Sequence, residues 1–299
     1  MSYRNPEHAA MQSVDGQTRA DDIKATTEVL LGRHEHAAEQ LRRVAIDPKD
    51  FEDLYSPEGV AKDLRYVEHR KDQFRESDTF YDNKSGLTSL ETRQLAEVAE
   101  YNVLRGLNVH QWLPACRGRK TSEYDDIYNG IDIVLEYNDK NMSNHLGLAV
   151  DITYSQNLSE KFDRVKREID AFDGTDNRMG VVKYFQSPSS GFRGELSGLP
   201  RVVTALDTGV LQDLAKSSSA ETHISRHIVV AEMLKQLTVY DTYAAARNPA
   251  AQPSISRAHR LLSFIDDVLH SRQTIEDSEY VKNRRMDTEI ADNLRKFRV

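Results

Sequence analysis

A chain of 299 residues, 38% of them hydrophobic and 29% charged, with a net charge of -8 and a mean hydropathy of -0.65, is long enough for one large domain or two smaller ones and reads as soluble and globular. No apolar run approaches the ~18 residues of a membrane span, and the acidic balance argues against a protein that coats nucleic acid by charge alone while leaving room for a local basic groove. Cys116 is the single cysteine, which excludes an intrachain disulfide and a cysteine-rich zinc site.

The N-terminus, "MSYRNPEHAAMQSVDGQTRADD", has neither the basic start nor the apolar stretch of a signal peptide, so a cytoplasmic location is expected. Residues 1–87 read as a helical N-terminal extension, with pieces at "DDIKATTEVLLGRHEHAAEQLRRVAI" and "SPEGVAKDLRYVEHRKDQF" and no strand signal. The second piece opens with Ser56 as N-cap and Pro57 at the first helical position. From Thr88 a helix is expected to about Leu107, with Thr88 and Glu91 at capping-box spacing. Strand-like runs follow at "VHQWLPAC", "GIDIVLEY" and "HLGLAVDITY", then a helix at "SEKFDRVKREIDAF" and strands at "GVVKYF" and "PRVVTALD". "GFRGELSG" reads as a flexible loop between two strands, with Arg193 placed to touch a phosphate. Residues 217–299 read as a helical C-terminal region, broken at "RNPAAQPS". The expected architecture is α/β: a mixed β-sheet core flanked by helices within residues 88–216, with residues 88–210 in one sheet. The helical extensions are expected to pack around that core or to mediate self-association into a homo-oligomer.

Asp132 and Asp151 interrupt runs that a buried strand would keep apolar. Alternation along "HLGLAVDITY" puts Leu146, Leu148, Val150, Ile152 and Tyr154 on one face and Gly147, Ala149, Asp151, Thr153 and Ser155 on the other. In "GIDIVLEY" Asp132 shares a face with Val134 and Glu136, opposite Ile131, Ile133 and Leu135. If these runs form an antiparallel hairpin, the two carboxylates lie side by side and repel unless a proton or a cation sits between them. A hard divalent cation, magnesium or manganese, is the economical resolution, because such ions take oxygen ligands. Between Thr121 and Asp151 the acids Glu123, Asp125, Asp126, Asp132, Glu136, Asp139 and Asp151 stand against Lys140 as the only Lys or Arg. Just before them "RGRK" offers Arg117, Arg119 and Lys120 as phosphate contacts. The alternative is that both aspartates end their strands and bind loop amides.

A helix bearing glutamates, three strands, a helix and a further strand, with Asp132 on the second strand and the triplet "DIT" (Asp151 to Thr153) on the third, resembles the PD-(D/E)xK nuclease superfamily over about residues 88–210. The resemblance implies a restriction-endonuclease-like core in which Asp132 and Asp151 bind the metal. It also implies one helix glutamate near the metal, for which Glu100 is the candidate, beside the alternative of a solvated helix face. Thr153 stands where that pattern has lysine, a group that positions the attacking water and offsets charge developing on the phosphate. Lys161, in the first turn of the next helix, and Lys183, in "GVVKYF", are the substitutes; as alternatives, Lys161 is a solvent-facing helix residue and Lys183 a guard on an edge strand. Asp126, ahead of the Asn129-Gly130 turn, is expected to enter the site from the preceding loop. Two functions remain open: a metal-dependent nuclease acting on DNA ahead of RNA, and an inactive nuclease-fold protein binding nucleic acid or protein. His223 and His227 in "HISRH" have helical zinc spacing without the metalloprotease glutamate and read as an exposed pair.

Overall fold

The structure, a computed structural model, describes residues 24–82, 86–137, 146–154, 158–175, 177–211, 225–270 and 285–298. Asp139, Lys140, Ser155 and His223, and the expected boundary at 216, lie outside these residues.

In the N-terminal extension, α1 (His34–Val44) and α2 (Pro57–Glu76) form as their sequences predict. Ser56 Oγ accepts from Gly59 N at 3.2 Å, and Pro57 loses no hydrogen bond at the first helical position. A short ladder that the sequence does not signal, β1 (Tyr81–Asp82) with β2 (Leu87–Thr88), leads into α3 (Ser89–Asn108). The capping box forms there in both directions: Glu91 N donates to Thr88 Oγ1 at 3.2 Å, and Thr88 N donates to Glu91 Oε2 at 2.8 Å.

Beyond α3 the chain lays down β3 (Cys116–Lys120), β4 (Ile133–Tyr137) and β5 (Leu146–Thr153) as an antiparallel meander. The helix α4 (Ser159–Ala171) follows, then a hairpin of β6 (Val182–Gln186) and β7 (Arg193–Leu196), and finally β8 (Arg201–Ala205), parallel to β5. The main sheet is therefore mixed and four-stranded, in the order β3-β4-β5-β8.

Three sequence expectations change here. "VHQWLPAC" is a turn, because Gln111 (φ 47°) and Ala115 (φ 60°) take left-handed backbone that no strand accommodates. Trp112 and Leu113 are apolar because they are buried, Trp112 against Gly106 of α3, and the first core strand falls instead on "CRGRK". "GVVKYF" is a strand but among the described residues pairs only with β7, which occupies the segment read as a loop, so the core strands expected in one sheet divide between two.

The face assignments along β5 follow its alternation. Leu148, Val150, Ile152 and Tyr154 join the largest apolar cluster with Leu95, Val98 and Val103 of α3 and Phe162, Val165 and Ile169 of α4. Ala149 and Val134 face the other way, under Val182, Phe185 and Leu199. A Cβ at Gly147 would lie 2.5 Å from Leu199 Cδ2, so a larger residue there would have to displace the Leu199 side chain, which packs over this face just before β8.

Helices α5 (Ser225–Arg247), α6 (Gln252–His270) and α7 (Arg285–Leu294) make up the described C-terminal region, with the break where "RNPAAQPS" places it. The apolar cluster runs from Leu30 to Phe297, so both extensions share the core of the sheet. Helix α5 also closes the sheet edge. Gln236 accepts from Val203 N at 2.8 Å and donates to Val203 O at 2.6 Å, while Glu232 accepts from Ala205 N at 3.3 Å, which occupies ladder groups that β8 would otherwise expose. No described helix is long and apolar enough to cross a membrane.

Candidate metal centre

The antiparallel register fixes which chain ends meet. Lys120 ends β3, Ile133 begins β4 opposite it, and Val150 near the end of β5 pairs with Ile133. Asp132 therefore stands at the same rim as Lys120 and Asp151. Its backbone N–H donates to Val150 O at 3.1 Å, and its Oδ2 accepts from Ile152 N at 2.5 Å. The turn before β4 coils through Asp125–Asn129 and is closed by Gly130 in left-handed conformation (φ 61°, ψ 42°), as Asn129-Gly130 predicts. That coil delivers Asp126 to the rim. Helix α3 delivers Glu100, which is buried although the polar side of the helix was its alternative placement.

Glu100, Asp126 and Asp132 converge, with one carboxylate oxygen of each within 4.8 Å of the others. Lys120 reaches into this group: its buried ammonium lies 2.7 Å from Asp126 Oδ2 and 2.8 Å from Glu100 Oε1, the latter at an angle that leaves Oε1 without a directed hydrogen bond. Lys161, from the first turn of α4, forms an ion pair with Asp151. Four carboxylates thus face two ammoniums, and full ionisation leaves a surplus of negative charge.

That surplus shows in the titration behaviour. Burial first, then the charges of Asp126, Asp151 and Glu100, raise the Asp132 carboxyl well above the ordinary carboxylate range against the pull of Lys120. Burial also pushes Glu100 up to about 7, with Lys120 opposing and Asp126 adding to the rise. For Lys120, burial alone favours the neutral amine, but Asp126, Glu100 and Asp132 outweigh it and hold the group charged. Burial likewise opposes the charge of Lys161, and Asp151 and Asp132 together raise its pKa.

The donor set suits a hard cation, since every candidate ligand is a carboxylate oxygen. An octahedral magnesium with bonds of ~2.1 Å holds its ligand oxygens roughly 3 to 4 Å apart, so a cluster spread to 4.8 Å admits one with water in part of its coordination shell or with modest closure. Thr153 is buried on β5, two residues beyond Asp151.

The remaining expected site residues go elsewhere. Lys183 pairs with Asp63 and lies over the rings of Tyr55, Tyr124 and Tyr184, at 5.1, 5.5 and 5.3 Å from their centres. Arg193 pairs with Asp53 and covers Phe51, so its guanidinium is already engaged. Of the three basic residues in "RGRK", Arg119 pairs with Glu136 at 2.8 Å, Lys120 is the internal counter-charge just described, and only Arg117 is exposed. Among the other acids, Glu97 binds His34 and Glu123 pairs with Lys71. Lys120 is the site residue that sequence reading put to the wrong use: a basic run looks solvent-facing until a strand alternation is laid over it, which turns Lys120 inward and Arg117 out.

No protein-family model, no curated protein and no solved structure matches the chain.

Proposed function

We propose that this chain is a magnesium- or manganese-dependent nuclease on a restriction-endonuclease-like core of the PD-(D/E)xK kind, hydrolysing phosphodiester bonds in nucleic acid, DNA ahead of RNA. The observation that carries the reading is the approach of Lys161 to Asp151 beside Glu100, Asp126 and Asp132: an amine from the next helix stands near the acids where Thr153 leaves the triplet without one. The order of elements from Ser89 to Ala205, a helix, three meandering strands, a helix and a strand parallel to the third, supports the same reading, with the β6-β7 hairpin as an insertion.

In this reading Asp132 and Asp151, with Glu100 and Asp126 beside them, hold one or two divalent cations, which supply Lewis-acid charge at the phosphate. Lys161, held by Asp151, places a positive charge where the pentacovalent phosphate becomes more negative. Water adds to phosphorus and gives up one proton to solvent, the bond from phosphorus to the leaving oxygen breaks, and that oxygen takes up a proton from solvent. A phosphomonoester and a free hydroxyl result.

One observation favours the second reading, an inactive nuclease-fold binding module: the Lys120 ammonium already neutralises part of the cluster. Labelled single-stranded and double-stranded DNA and RNA, incubated with magnesium or manganese, separate the two. The nuclease reading expects cleavage that Lys161→Ala reduces at least about a hundredfold, the scale of losing one charge-stabilising group, while metal-dependent stabilisation persists. Binding without cleavage by the wild-type protein would establish the module instead.

A further inference from the structure

The acid cluster holds two ammoniums that differ in freedom. The Lys161 side chain is 31% exposed and forms its ion pair with Asp151, so it is open to an incoming group. The Lys120 side chain is 6% exposed and lies between two acids, 2.7 Å from Asp126 Oδ2 and 2.8 Å from Glu100 Oε1. It ends β3, whose ladder sets it opposite Ile133 of β4, so the sheet itself holds this ammonium in the cluster. Glu100 adds an observation that points to a ligand. Only 6% of the residue is exposed, and Oε1 has no directed hydrogen bond even though Lys120 stands beside it. That oxygen keeps a lone pair for a cation inside a cluster whose carboxylate oxygens lie within 4.8 Å of one another.

We propose that Lys120 is a tethered cation standing in for a second metal ion, so that the site takes one divalent ion, bound among Glu100, Asp126 and Asp132, rather than two. The inference rests on the metal centre of the reading above and names the ion count of that same site. Charge decides the count. Glu100, Asp126, Asp132 and Asp151 carry four negative charges when a metal holds them ionised, and Lys120 and Lys161 carry two positive ones. One divalent ion cancels the remainder. A second would leave two positive charges in excess where burial already opposes both ammoniums. It would also have to share Glu100 and Asp126 with the Lys120 ammonium, at a separation where like charges repel strongly. A buried ammonium offers positive charge but no open coordination position. Lys120 is therefore a positioning residue, which holds Glu100 and Asp126 for the ion and touches no substrate.

Counting manganese ions on the full chain tests this, with free manganese read by electron paramagnetic resonance as the protein is titrated. Asp132→Asn, measured alongside, gives the ions bound elsewhere on the chain, to be subtracted. Wild type is expected to bind one ion at the site and Lys120→Met, which keeps the bulk of the side chain and removes its charge, two. Should Lys120→Met be unfolded without metal, its thermal melt in excess manganese decides, because the second ion is expected to replace the missing charge and restore folding. Two ions in wild type, no ion in wild type, one ion or none in a folded Lys120→Met, or a Lys120→Met chain that manganese does not restore would each overturn the proposal. Cleavage is read separately. The expected counts in a protein that cuts nothing would sink the nuclease reading while keeping the tethered cation, and two ions in a wild type that cleaves would do the reverse.

Discussion

Asp125 and Asp126 are neighbours on one coil, and they anchor two regions built on opposite principles. At Asp125 both carboxylate oxygens are saturated. Oδ1 accepts from Asn129 Nδ2 and Lys183 N, each at 2.7 Å, and Oδ2 accepts from Ser122 Oγ at 2.7 Å and Tyr184 N at 3.0 Å. Around it Lys183 is enclosed by three tyrosines and Asp63, which ties α2, the coil and β6 together. At Asp126 the carboxylates face one another, and among the described residues the donors that offset their repulsion are the Lys120 and Lys161 ammoniums and the Ile152 N–H, fewer than one per carboxylate oxygen. Burial and charge are common to both regions, so neither property distinguishes a candidate site. What differs is whether donors of this chain satisfy the acids or leave charge for a cation or a proton.

The largest effect is expected where saturation is broken. Asp125→Ala should cost about 3–5 kcal/mol, because it strands two backbone N–H groups and two side-chain donors in a buried place. A urea midpoint that implies a loss under about 1 kcal/mol would show that the coil does not depend on this carboxylate.

At the rim the sign should depend on the partner each carboxylate has. Asp132→Asn keeps an acceptor for Ile152 N and removes one of the mutually repelling charges, so the metal-free protein should be no less stable than wild type. Asp151→Asn removes the partner of Lys161 and should lower stability. Both variants should lose the metal-dependent stabilisation, which for the wild type amounts to about 2.7 kcal/mol at a hundred times Kd. Thermal melts across a manganese series decide this, and a shift retained in both variants would remove the metal centre.

Lys183→Met should cost about 1–2 kcal/mol through the lost ion pair and ring contacts, with cleavage unchanged. Loss of cleavage in a fully stable Lys183→Met protein would instead return Lys183 to the chemistry.

The smallest effect concerns an exposed carboxylate saturated by its own turn. Asp173 accepts from the N–H of Thr175 and Asn177 and from both of their side chains, and these bonds lower its pKa from 3.8 to about 2. A depressed folded-state pKa contributes stability that is complete above the unfolded value and lost as the pH falls through about 2. NMR titration of the side-chain carboxyl should place its midpoint near that value, and an ordinary midpoint would show that saturation does not set carboxylate behaviour in this fold.

Much of the rim was legible in residues 130–155, because strand alternation is a local rule and assigns each side chain to a face without reference to its partners. The faces of β5 follow from it, and with antiparallel pairing so does the meeting of Asp132 with the end of β5; the turn at Gly130 is read instead from Asn129-Gly130, and Ile131, which precedes β4, packs with Val134 rather than with Ile133 and Leu135 as alternation placed it. The same rule failed at "VHQWLPAC", where apolar residues are buried by a turn rather than a ladder, since burial is a property of the surroundings and not of the run. It also failed for "GVVKYF", because alternation identifies a strand but not the sheet it joins.

The sequence by itself determined the local matters: the capping box at Thr88, the capped start of α2, the helical extensions among the described residues, and the interruption of two apolar runs by aspartate. These depend on groups within a few residues of one another, so spacing is enough to read them. Tertiary structure decided which charges meet. Lys120 became an internal counter-ion rather than a surface contact, Lys161 came to Asp151 and Lys183 to Asp63, and the adjacent Asp125 and Asp126 parted into a saturated anchor and an unsaturated rim. Ion pairs between distant residues carry no periodic signature, and their partners are chosen by the packing of whole helices against the sheet.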